Sequence, residues 1–327
     1  MTSKRLFAMW LTFGSLALPV QAQQTATYNG WCDASAAVAL DDEHFVVAND
    51  EHNELRIYRR GKPDAVGSPV DLGQFLGTKN KESDLEGAVR VGNRIYWIAS
   101  HGRNKNGKLR EERHRLFAME MRTGRPPSLQ PEGKPYTGLL DDLRAAKSLK
   151  PYDLATAATL APEAPGGLNI EGLAATPDGK LLIGFRSPVR SGKALLVSLE
   201  NPDDVVGGRA KARLGPPVPL DLGGAGIRSI ELVGSSYWIV AGPTADAGDF
   251  ALFRWSGKAA DRPTPFAGVD FRKYGQFRPE ALFVVPNTTL LQILSDDGGV
   301  KVDSTDCKDL DASRQTFRSI TVDITKP

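Results

Sequence analysis

Residues 83–88 read SDLEGA and residues 168–173 read LNIEGL. Each places a Glu-Gly pair just ahead of an apolar run that ends at a turn. Laid over the rest of the chain, the phrase finds five windows: CDASAAVAL from Cys32, SDLEGAVRV from Ser83, LNIEGLAAT from Leu168, RSIELVGSS from Arg228 and FRPEALFVV from Phe277. One register position holds Ser35, Glu86, Glu171, Glu231 and Glu280. Two residues earlier stand Asp33, Asp84, Asn169, Ser229 and Arg278, which the period of two in a strand puts on the same face.

After each phrase comes a turn and a second β-rich run: DDEH then FVVAND, GN then RIYWIASH, PDGK then LLIGFR, GSS then YWIVAG, PNTT then LLQILSDD. Turn residues between β-branched and aromatic runs read as hairpins. A third run follows in ELRIYRR, HRLFAMEM, KALLVSLE and FALFRWSG, and a weaker outer one in SPVDL and VPLDL. The spacings from Ser35 through Glu86, Glu171 and Glu231 to Glu280 are 51, 85, 60 and 49 residues. Four-stranded units repeating near ~50 residues predict an all-β chain folded as a five-bladed β-propeller. The long gap contains YTGLLDDLRAAKSLKPYDL, whose leucines and alanines fall at helical spacing before a Pro stop. It is read as a short helical insertion in the second blade, at about residues 125–167 and outside the blades, with a sixth blade as the alternative.

The chain opens with Lys4 and Arg5, an apolar stretch from Leu6 to Leu18, and Val20-Gln21-Ala22 in small-x-small style. This is a secretory signal peptide over residues 1–22, leaving residues 23–327 as a single propeller domain in a periplasmic or secreted protein. The apolar stretch is shorter than the roughly 20 residues of a membrane span. Removing Lys4 and Arg5 from 41 basic residues leaves 39, equal to the 39 acidic ones, so no charge excess points to nucleic acid. A monomer is expected. The only two cysteines, Cys32 and Cys307, stand one near each end of a chain that must close into a ring. An oxidising compartment permits a disulfide between them, and the final strand FRSITVDI is expected to complete a blade to which TATYNGW contributes.

In a propeller the innermost strand lines the channel and the second runs antiparallel to it, so the start of one lies beside the end of the other. One mouth should therefore collect Asp33, Asp50, Asp84, Glu86, His101, Arg103, Glu171, Arg186, Arg228, Glu231, Glu280 and Asp296. Converging carboxylates repel, and the repulsion is relieved by protonation, by arginine partners or by a cation. A hard divalent cation such as calcium accepts oxygen ligands in flexible geometry, making Asp33, Asp84, Glu86, Glu171, Glu231, Glu280 and Asp296 candidate ligands. Arg103, Arg186 and Arg228 would instead neutralise these acids or hold an anionic small molecule. Glu86, His101 and Glu171 are the candidate catalytic groups. The opposing reading is that each glutamate caps backbone N–H groups of a neighbouring blade.

GRNKNGKL at Gly102 spells a P-loop as far as its lysine, but Leu109 replaces the required hydroxyl and no helix follows. DSTDCKDLD lacks the spacing and glycine of an EF-hand loop.

CDASAAVAL, SDLEGAVRVGNRIYWIASHGRNKNGK, NIEGLAATPDGKLLIGFR, DLGGAGIRSIE and RPEALF together resemble the bacterial family catalogued as domain of unknown function 3616. The resemblance runs along the mature chain and implies a secreted propeller-type domain. More loosely, the chain is similar to other exported propellers with acidic mouths, including the calcium-dependent phytases, by architecture and without a residue-by-residue match. Three classes of function follow: a metal-assisted hydrolase of a phosphoester or ester, a non-catalytic module for an anionic ligand, and a protein-interaction propeller.

Overall fold

The computed structural model describes residues 25–79, 81–245 and 247–326. The signal peptide read over residues 1–22 lies outside the described residues. Five antiparallel sheets of four strands surround a channel. Blade 1 is β2 (Ala36–Ala39), β3 (His44–Ala48), β4 (Glu54–Arg59) and β5 (Ala65–Asp71); blade 2 is β6 (Leu85–Val91), β7 (Arg94–Ala99), β8 (Leu116–Arg122) and β9 (Ser128–Tyr136). Blade 3 is β10 (Asn169–Ala175), β11 (Leu181–Ser187), β12 (Ala194–Leu199) and β13 (Leu214–Leu220); blade 4 is β14 (Gly226–Val233), β15 (Ser236–Gly242), β16 (Ala251–Trp255) and β17 (Thr264–Pro265). Blade 5 contains β18 (Pro279–Val284) and β19 (Leu290–Ser295), and after a small hairpin of β20 (Lys301–Val302) and β21 (Thr305–Asp306) it is completed by β22 (Thr316–Asp323) and the N-terminal strand β1 (Thr25–Asn29).

The ring thus closes where the two ends of the chain pair, Thr25 opposite Ile320 through Asn29 opposite Thr316. Buried aromatic rings fill that seam: Tyr28 stacks on Phe317 at 5.2 Å between centroids, and Phe45 of blade 1 on Phe283 of blade 5 at 5.3 Å. Such pairs add to plain area burial and favour one register. The Cys32–Cys307 disulfide is present at the same seam, both residues buried. No described helix is long and apolar enough to cross a membrane.

Apolar faces of neighbouring blades pack on one another, and the glycine of the repeated phrase makes this approach feasible. A Cβ on Gly87 would lie 2.8 Å from the backbone oxygen of Glu171 in the next blade, and one on Gly172 would lie 2.7 Å from a methyl of Ile227. The Glu-Gly pair therefore couples a polar residue at the channel to the close contact that seats the following blade.

The helical segment between blades 2 and 3 comprises Leu139–Ala145, a 3₁₀ stretch Lys147–Tyr152 and Leu154–Ala157. It starts after β9, so residues 128–136, read as part of the insertion, form the outer strand of blade 2. The segment is not detached from the blades: Leu139, Leu140, Leu143, Leu149 and Leu154 are buried in one cluster with Ile98, Ile170 and Phe185. The helical spacing of these leucines reflects a face laid on the seam between blades 2 and 3.

Candidate functional site: an acidic channel mouth

Each inner strand opens with a β-bulge in four of the five blades. Leu85 pairs with Ala99 and Gly87 with Ile98, leaving Glu86 as the extra residue. The same irregularity leaves out Glu171 between Ile170 and Gly172, Arg228 between Ile227 and Ser229, and Glu280 between Pro279 and Ala281. A bulge turns a side chain out of the alternation of the strand, here toward one mouth. In blade 1 the residue before β2 is Ser35, whose Oγ donates to the Ala48 carbonyl at 3.3 Å.

The bulge residues of blades 3, 4 and 5 form one ionic chain. Arg186 Nη1 lies 3.2 Å from Glu171 Oε1, Arg228 Nε lies 3.0 Å from Glu171 Oε2, and Arg228 Nη2 pairs with Glu280. Arg186 spends its other N–H groups on the carbonyls of Pro243 and Ala245, both at 3.0 Å. Both arginines are buried and committed to partners.

A cavity of about 370 Å³ opens at this mouth. Nine acidic and six basic side chains line it, an excess of negative charge. Asp84 is neutralised by Arg113 at 2.7 Å, and Arg113 also pairs with Glu82. Burial, partly offset by Arg113, pushes the Asp84 carboxyl up to about 6. Glu86 has no ion pair or hydrogen bond among the described residues; burial and then the charges of Glu171, Asp84 and Asp50 raise its pKa well above the usual carboxylate range. Asp50, from the end of β3, behaves alike: burial raises it first, Asp296 and Asp84 next, and its Oδ1 is buried without a hydrogen-bond partner. Asp296 also lines the cavity, its Oδ1 accepting from the Gly298 N–H at 2.8 Å. Asp33 stands behind this wall, sharing a hydrogen bond with Asp296 and pushed up to about 10 by burial and by Asp50 and Asp296. The Lys308–Glu51 ion pair, at 2.9 Å, edges the cavity beside the disulfide.

The structure thus brings together Asp84, Glu86, Glu171, Glu280, Asp296, Arg186 and Arg228 in the cavity wall. Besides Asp33, which stands behind the wall, three expected members lie elsewhere. Glu231 lies three residues beyond the bulge of its strand, opposite Trp238, and accepts a hydrogen bond from the Val284 backbone N–H of blade 5. It braces two blades, as Ser229 does by accepting from the Leu282 N–H at 3.2 Å. His101 is buried, stacked on His114 at 5.8 Å and hydrogen-bonded to the Ala99 carbonyl; burial drops its pKa to about 3, so it is neutral and outside the cavity lining. Arg103 donates to the carbonyls of Ala158 and Gly107, both at 2.9 Å, and so ties down the helical segment. Among the described residues no group of three or more Asp, Glu, His or Cys side chains is arranged to hold a metal ion. The sequence reading missed Arg113, which reaches the mouth from a 3₁₀ turn in a loop and carries no periodic signal.

The carboxyl of Glu231 makes a testable electrostatic contribution. Burial raises it from 4.5 to about 8. A folded-state pKa above the unfolded one gives stability that is complete below pH 4.5 and lost as pH rises through about 8. The cavity acids with raised pKa act in the same direction. Glu231→Gln should therefore gain about 3 kcal/mol over the natural chain at pH 8 relative to pH 5. Urea unfolding at the two pH values measures it, and an equal difference at both would refute this assignment.

Fold and site together define a five-bladed β-propeller with an acid-rich mouth cross-braced by buried arginines. Residues 129–273 match the model of the family described as Protein of unknown function (DUF3616), so the resemblance seen in the sequence is found over that segment. No curated protein matches the sequence. Among solved structures, the chain is similar to a mutant of the GH43 protein BlXynB from Bacillus licheniformis, at 13% identity and a TM-score of 0.50, over 93% of this chain and 57% of that one. It is also similar to the glutaminyl cyclase of Myxococcus xanthus, at 13% identity and 0.45 over 92% and 97%. The PQQ-bound aldose sugar dehydrogenase of Streptomyces coelicolor gives 13% and 0.45 over 92% and 98%. At such identities the likeness concerns the fold alone.

Proposed function

We propose that the protein is exported, to the periplasm or the cell exterior, and that its channel mouth hydrolyses a phosphoester with a divalent cation such as calcium as cofactor. The observation that carries the reading is the pair of carboxylates, Asp50 and Glu86, that face an acid-rich cavity with no ion pair of their own among the described residues, since the cations nearest them, Arg113, Arg186, Arg228 and Lys308, are each paired with another carboxylate. Half-buried carboxylates crowded by other acids need either protons or a cation. Glu171 and Glu280 are already neutralised by Arg228, so they serve as scaffold. A hard cation held by one or two carboxylates keeps much of its water and takes its remaining ligands from substrate phosphate, as magnesium does. This suits a mouth without a three-acid cage. Bound there, the cation would supply an activated water and polarise a phosphoryl oxygen. Lys105 and Arg278, exposed at the rim of the cavity, supply positive charge for the anionic group. Arg186 and Arg228, already ion-paired with Glu171 and Glu280, do not. The disulfide supports export, since such bonds persist in oxidising compartments.

Calorimetric titration of chelator-treated protein with calcium and with magnesium, followed by assay on p-nitrophenyl phosphate, tests the reading. The expected affinity is on the order of 10⁻⁴–10⁻³ M, as in extracellular calcium modules. Asp50→Asn combined with Glu86→Gln should abolish binding and turnover. Failure of the natural chain to bind either cation overturns the proposal, and binding without turnover on any phosphoester overturns its catalytic half.

A further inference from the structure

Asn169 stands at the start of β10, two residues before the bulge residue Glu171, and is only 5% exposed. Its Nδ2 donates to Glu171 Oε1 at 2.8 Å, and Glu171 is in turn fixed by Arg186 and Arg228. Turning the amide over would set its oxygen against that carboxylate, so the bond network assigns the nitrogen to Glu171 and directs the carbonyl away from it. Oδ1 is buried and has no hydrogen-bond partner, while the side chain lines the cavity. In the other blades the corresponding position carries Asp33, Asp84, Gly226 or Arg278. Blade 3 is the one that places an uncharged acceptor there.

Two buried oxygens with nothing to accept from, Asn169 Oδ1 and Asp50 Oδ1, therefore belong to the lining of one cavity. Glu86 lines the same cavity from blade 2, the blade between those that carry Asp50 and Asn169. We infer that Asn169 supplies a neutral oxygen ligand to the divalent cation held by Asp50 and Glu86, an assignment that rests on the cation reading of the mouth. Hard cations take amide carbonyls alongside carboxylates. A neutral ligand also completes the shell without adding a further charge to acids that already repel one another. The ligand set becomes two carboxylates and an amide, each from a different blade.

The test titrates calcium into the chelator-treated full chain and into Asn169→Leu and Asn169→Asp, with melting curves recorded in chelator. Outer-shell partners of a metal are worth about 10–100-fold in affinity, so loss of a direct ligand should cost at least about tenfold. Asn169→Leu should show that loss with little change in cation-free melting. Asn169→Asp keeps an oxygen and removes the N–H donor to Glu171, so it should retain or raise affinity. Natural affinity in Asn169→Leu overturns the inference. So does a loss in Asn169→Asp as large as in Asn169→Leu, because the bond to Glu171 would then be what matters. No calcium binding by the natural chain overturns the underlying reading of the mouth as well, which separates the two failures.

Discussion

Arg228→Leu should destabilise the protein by about 3–5 kcal/mol, the cost of breaking a buried ion pair from one side. Arg228 is 5% exposed and joins three blades, carried on blade 4 and paired with Glu171 of blade 3 and Glu280 of blade 5. Its loss leaves Glu280 without its cation and Glu171 with Arg186 alone. The attraction replaced by leucine is large because all three side chains are buried, and the same burial makes the orphaned carboxylates expensive. Adding Glu280→Gln to Arg228→Leu should restore part of the loss, since an amide does not need a counter-charge. Urea unfolding at neutral pH measures both. A single-variant loss below about 1 kcal/mol, the range of an exposed pair, would show that the network is solvated and not structural.

Replacing Cys32 and Cys307 together with serine should lower stability by up to about 5 kcal/mol, the chain-entropy value for so long a loop. The two cysteines are 275 residues apart, so the cross-link restricts nearly the whole unfolded chain. The folded ring keeps a second closure, the pairing of β1 with β22, and the variant should remain a propeller at moderate temperature. Its melting midpoint should fall, and the unreduced natural chain should show no titratable thiol in denaturant. An unchanged midpoint, or two reactive thiols, would contradict the closure described here.

The repeat was legible because an inner strand, a turn and a second strand impose the same pattern of apolar residues and turn formers wherever they recur. Its polar content was legible only where the bulge residue is acidic. Glu86, Glu171 and Glu280 occupy that place, and the second-strand ends Arg186 and Asp296 fall beside them as the antiparallel count suggests. In blade 4 the phrase RSIEL offered an acid at the wrong distance: Glu231 fits the apolar pattern, but the bulge holds Arg228. The turn glycines would have corrected this. Gly92 and Gly234 adopt nearly the same left-handed φ, 63° and 62°, and counting back six residues from each gives Glu86 and Arg228. The bulge positions hold three glutamates and one arginine, and a search for like residues cannot see a position where the complement is used. His101 and Arg103 were placed correctly along the chain, but strand position alone does not say whether a side chain faces the channel. His101 has positive φ and turns into the protein, and Arg103 is drawn to the backbone of the helical segment.

In the function proposed above, Asp50 and Glu86 hold a divalent cation at the channel mouth. Anomalous scattering from crystals soaked in manganese, recorded above and below its absorption edge, tests it most directly. One strong peak is expected inside the cavity, within ligand distance of the Asp50 and Glu86 carboxylates, and it should disappear in the Asp50→Asn, Glu86→Gln double variant. No peak at the mouth at saturating manganese, or a peak that survives in the double variant, would contradict it.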